Sequence, residues 1–184
     1  MAPEQRTEKV PDEVVQHEIV QNLERSRQEF IAAVGGISEE QAKVRPDPAR
    51  WSVLECVEHV TTVEERFQGW LHKAEKRDAP SVDKEKEAGL QARIPDRTTR
   101  LNAPEAVLPT GRFTTLAQAL EQFNAGRTRS IQFAQDRRGD LYYLATEHPR
   151  LGPLNGVELL IVTAQHGRRH AAQIHEVRAA LSAT

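Results

Sequence analysis

The sequence holds a single cysteine, Cys56, in 184 residues, which excludes a disulfide framework. Aromatic residues make up 5% of it, and strand-like alternation of apolar and polar residues is nearly absent. No apolar run approaches the ~18 residues of a membrane span, and the polar opening MAPEQRTEKVPDEVV lacks the apolar stretch of a signal peptide. The expected setting is the cytoplasm, with no membrane partner. Charge of one sign is lacking too: 25 Lys and Arg stand against 27 Asp and Glu, a formal net charge of -2 that gives no positive field to gather nucleic acid. There is no GxGxxG, P-loop, CxxC pair or GxSxG elbow, so the commonest nucleotide, redox and serine-hydrolase signatures are missing.

What is present is helical. Ala, Glu, Gln, Arg and Leu fill long periodic segments, and the expected class is all-α. The length suits one domain. Residues 1–11 carry two prolines and little apolar content and read as a flexible tail, leaving 12–184 for the domain.

The last thirty residues organise the rest. Advancing ~100° per residue from Leu159 gathers Val162, Thr163, His166, His170, Ile174, Val177 and Leu181 on one buried stripe, with Glu158, Gln165, Arg168, Arg169, His175 and Glu176 on a solvated back. His166 and His170 thus look inward one turn apart, with Cβ atoms about 5–6 Å from each other, the spacing of a metal-ligand pair. Asn155 with Glu158 supplies a capping box, and Gly152 and Pro153 break the chain before it. HxxxH also arises by chance on helices, so a third inward histidine is needed.

A first helix is expected from about residue 12 to 34, on the stripe Val15, Ile19, Leu23, Phe30 and Val34, stopped by Gly35 and Gly36; His17 falls off that stripe. Ser52 with Glu55 caps a second, running to about Lys76. Its face through His59 carries Cys56, Val60, Val63, Arg66, Phe67 and Trp70, while Glu58, Thr61, Gln68 and His72 lie opposite. His59 is therefore either a satisfied core histidine or the missing ligand. Cys56, nearly on the same face, is a packing residue or a reactive thiol near the ion. Residues 77–113 form a charged, proline-containing connection far longer than bundle loops, so it crosses over the bundle or lines its mouth, its DKEKE run reading as a solvated face. Thr115 and Gln118 open a third long helix whose stripe includes Arg127, which either reaches for a rim or awaits an anionic substrate; Arg66 poses the same choice. His148, before a proline in the loop that follows, reads as exposed.

Four amphipathic helices with one long crossover imply an up-down four-helix bundle. The segments RWSVLECVEHV, APEAVLPTGRF and HPRLGPLNGVELLIVTAQHGRRHAAQIHEV, in that order and spacing, resemble the DinB/YfiT-like bundles, which include thiol-dependent S-transferases and mycothiol-dependent maleylpyruvate isomerases. The resemblance covers about residues 12–182 and implies a divalent metal held by His59, His166 and His170, the three histidines the helical arithmetic turns inward. Imidazole suits zinc, nickel, copper and iron; zinc or nickel is expected first, iron or manganese next.

Two functions follow. An enzyme would use an open position on such an ion to transfer a low-molecular-weight thiol to a small electrophilic molecule, or to hydrolyse it, with Arg66 and Arg127 orienting carboxylates at the mouth. A non-catalytic stress-response module would use the same bundle to bind a ligand or partner. A homodimer is expected as well, because Val53, Val57 and Leu71 widen the apolar arc of the second helix.

Overall fold

The computed structural model describes residues 12–137 and 139–183, so the expected tail at 1–11 lies outside the described residues. In chain order its helices are α1 (Asp12–Val34), α2 (Glu39–Lys43), α3 (Val53–Lys73), α4 (Lys84–Arg93), α5 (Leu116–Asp136) and α6 (Gly156–Ser182). Ser38, Ser52 and Asn155 close capping boxes at α2, α3 and α6, each side chain accepting from the amide three residues on. None of these helices is long and apolar enough to cross a membrane.

The four long helices form a bundle in which α1 and α3 each pack against both α5 and α6. The diagonal pairs are therefore α1 with α3 and α5 with α6. Two apolar clusters give the directions. One gathers Phe30 and Val34 with Val53, Val57, Leu116, Ala119, Ile174 and Val177, that is the end of α1, the starts of α3 and α5 and the end of α6. The other joins Val15 and Ile19 to Phe67, Leu71, Ile131, Ala134, Val157 and Leu160, the opposite ends of the same helices. The order is up, down, down, up. A crossover that must return along the bundle before α5 can start cannot be a short loop, which accounts for the length of the connection.

Between the clusters lies a polar layer at mid-bundle, built from Ser26, Glu64, Arg127, Ser130 and the three histidines. Gly167 admits this layer. Ser26 Oγ donates to the Ala164 carbonyl at 2.6 Å, and a Cβ on Gly167 would stand 2.8 Å from that oxygen and 3.4 Å from Arg127 Nη2. Gly167→Ala should lower stability by about 1–3 kcal/mol, read as a lower denaturant midpoint at unchanged slope. Gly69→Ala, where a Cβ meets nothing within 4 Å, should match or exceed the parent. Equal midpoints for both variants would show that the layer yields freely.

Several expectations need correction. The second helix ends at Lys73, and three short antiparallel strands, β1 (Glu75–Lys76), β2 (Leu144–His148) and β3 (Gly152–Leu154), form a small sheet beside the bundle. Strands this short carry no period-2 signal. The DKEKE run is the start of α4, whose Glu87 and Leu90 are buried; few apolar residues mark its face. The back of α6 is not solvated along its first half, since α4 and the crossover cover it. Lys86 Nζ bonds Glu158 at 2.9 Å, and Glu158, Gln165 and Arg169 are all buried. Glu58 and Thr61 on the back of α3 are likewise buried, Glu58 accepting from the Thr110 amide of the crossover at 2.6 Å. Val53, Val57 and Leu71 are covered within one chain, so the wide arc on α3 needs no second copy.

Candidate metal centre

Two helices and one carbonyl of the crossover build the centre. Ser52 caps α3 at Val53 so that His59, the seventh residue of the helix, faces α6. Gly156 starts α6 against the Leu141 carbonyl, which a Cβ would approach to 2.7 Å, and ten and fourteen residues on come His166 and His170. The crossover returns over the top, where Val107 is buried beside His59.

The ligand-capable atoms of the three histidines all lie within 4.8 Å of one another. His166 Nε2 is 3.3 Å from His59 Nε2 and 3.1 Å from His170 Nε2. His59 Nδ1 stands 2.7 Å from the Val107 carbonyl, which can only accept, so Nδ1 carries the proton and Nε2 offers its lone pair to the centre. Trp51 packs on the far side, with ring centroids 4.8 Å from His59 and 6.3 Å from His170. His59 and His170 are buried, while His166 keeps an edge toward solvent. His166 also lines a tight crevice, too small to hold a water, with Val60, Val63, Glu64, Phe67 and Thr163.

Burial holds His59 below the usual histidine range, against its bond to Val107. His166 and His170 lie well below it, through burial first and then through repulsion within the cluster and from Arg169 and Arg97. All three are neutral at neutral pH. Three nitrogen donors turned on one point in a buried layer, with no carboxylate in the group, fit a borderline divalent transition metal better than an oxygen-seeking cation such as manganese.

The lowered values fix a pH dependence. Unfolded histidines titrate near 6.5, so between the lower folded values and about 6.5 the unfolded chain binds more protons, and stability rises with pH in that window only. The melting temperature of chelated protein should climb from about pH 5 to 6.5 and then level off. A His166→Phe variant should climb less steeply, and a decline over that window would contradict a neutral cluster.

The other candidates lie elsewhere. Cys56 is fully buried in the apolar cluster at the start of α3, its thiol pushed up to about 12 by burial, so it meets no substrate. Arg127 reaches no rim: it is 0% exposed and paired with Glu64, because a polar layer at mid-bundle gives its charge a partner inside. Arg66 is exposed, the inward positions of its turn being taken by Val63 and Phe67. His148 is half-buried rather than exposed, since the β2–β3 hairpin folds it onto Phe67 and Trp70. Sequence reasoning missed the Val107 carbonyl, Trp51 and Glu64. A tryptophan opening RWSVLECVEHV, eight residues before His59, was the available hint for Trp51.

A family model described as the DinB superfamily matches residues 22–174. Among solved structures, one from Bacillus subtilis, described as "YfiT from Bacillus subtilis is a probable metal-dependent hydrolase with an unusual four-helix bundle topology", matches with a TM-score of 0.58 at 14% identity, covering 99% of this chain and 94% of that one. At that identity the likeness is one of fold. No curated protein sequence matches the chain.

Proposed function

Because the chain belongs to the DinB superfamily, we propose that His59, His166 and His170 hold a divalent transition metal through their Nε2 atoms. In this reading the protein is a metal-dependent enzyme that hydrolyses a small electrophilic molecule or transfers a low-molecular-weight thiol to it. The convergence of three neutral imidazoles on one point, with His166 only partly buried, carries the reading.

Each residue has a stated part. Val107 holds the His59 ring by its Nδ1–H and so aims Nε2 inward. Trp51 closes the centre on one side and keeps water from the backs of His59 and His170. Phe67, edge-on to His166 at 6.5 Å, makes an apolar wall for the reacting molecule. A metal so bound acidifies a water or thiol beside it and polarises a carbonyl. Thr163 donates its hydroxyl to the Leu159 carbonyl, and Glu64 is engaged by Arg127, so neither serves as a free base.

The narrowness of the crevice favours a second reading, a non-catalytic module whose histidines bind metal and a partner ligand without turnover. A panel of small thiols and water against generic electrophiles separates the two, with metal-loaded, chelated and His59→Ala protein side by side. Turnover that chelation and the substitution both abolish is expected. Turnover that survives both excludes the metal-dependent mechanism, and none with any nucleophile supports the module.

A further inference from the structure

A fourth histidine stands by the crevice. His148 ends β2, and its Nδ1 accepts from the backbone amides of Arg150 at 3.1 Å and Leu151 at 3.2 Å. Those two donors hold Nδ1 as an acceptor, so the neutral ring carries its proton on Nε2. Burial, with the Arg150 cation adding to it, keeps the ring below the usual histidine range and therefore neutral. That Nε2–H has no partner among the described residues. The ring packs against the Phe67 and Trp70 pair, each centroid 5.6 Å away and the two 5.2 Å from each other. Phe67 in turn is the wall of the crevice beside His166. A single aromatic wall thus has the three-histidine centre at one end and a fixed, unengaged donor at the other.

We propose that His148 is a substrate-recognition residue whose Nε2–H donates to an acceptor oxygen at the far end of a small molecule held at the three-histidine centre. The molecule this selects has a flat or apolar middle that lies on Phe67 and Trp70 and ends in a carboxylate or carbonyl. A carboxylate suits the site best, because Arg150 is solvent-exposed beside His148 and, among the described residues, only its bond to the Asn102 carbonyl at 2.5 Å occupies its guanidinium. A ring locked with Nδ1 as acceptor is a donor and not a base, so His148 binds and orients without removing a proton. The proposal rests on the metal reading above.

Two substitutions split the donor role from the turn. Asn at 148 keeps an acceptor for the Arg150 and Leu151 amides and loses the outward donor; Gln keeps a donor near the Nε2 position and loses the turn acceptor. Full-length protein loaded with Co(II) is titrated with benzohydroxamate and with 4-carboxybenzohydroxamate, followed by visible absorption. The parent should prefer the carboxylated probe by about tenfold, the worth of one charge-assisted hydrogen bond. His148→Gln should keep most of that preference and His148→Asn should lose it. The reverse order, or no preference in the parent, overturns the role of His148 while Co(II) uptake leaves the metal site standing. Failure of the parent to take up Co(II) overturns both.

Discussion

Protein purified without chelator should carry about one divalent transition metal per chain, and His170→Ala should carry almost none. Removing one of three imidazoles leaves two neutral donors, and the nearby Val107 carbonyl and Glu64 are already engaged by His59 and Arg127. Loss of a mere orienting partner costs about 10–100-fold in metal affinity, and loss of a ligand costs more than that. The variant should remain folded, because both apolar clusters persist without the His170 ring and the truncation opens only a gap beside Trp51. Elemental analysis alongside circular dichroism reads both quantities. Full occupancy in folded His170→Ala would sink the assignment of this residue.

The second large effect is on stability. Arg127 donates from Nε to Glu64 at 2.8 Å, from Nη2 to Glu64 at 3.0 Å and from Nη1 to the Leu23 carbonyl at 2.9 Å, with Ser130 Oγ adding a bond to Glu64 at 2.8 Å. The pair is buried on both sides. Arg127→Met leaves a buried carboxylate without its cation and should cost about 3–5 kcal/mol, a fall of roughly 6–20 °C in melting temperature for a chain of this size. Adding Glu64→Leu removes the stranded charge, so the double variant should recover most of the loss. Additive losses in the double variant would mean that the two side chains act separately.

How much of this could be read from residues alone follows from the reach of the interactions. His59, His166 and His170 were legible because a 3.6-residue period sampled along α3 and α6 fixes which face turns inward. Arg127 was legible as an inward arginine and not as half of a pair, since Glu64 is 63 residues away and on another helix. The Val107 carbonyl, 48 residues from His59, leaves no sequence mark, because every residue has a carbonyl. His148 was misread since the exposure of a loop residue depends on where its hairpin folds. The solvated back assigned to α6 failed, and Glu58 and Thr61 on the face of α3 opposite His59 are buried too, for a shared reason. A helical pattern records two faces, while the crossover lays a third layer over them.

The neighbouring of α1 and α6 also bears on how the chain is made. These two helices run side by side in the same direction, yet α1 leaves the ribosome well before α6. Until α6 emerges, Leu23 and Ile19 on α1 and Val60 and Val63 on α3 lack their covering, Ser26 lacks its acceptor at Ala164, and the mid-bundle layer stays open to water. The nascent chain therefore presents apolar grooves from α1 onward until α6 has emerged, and closure of the bundle waits on that helix.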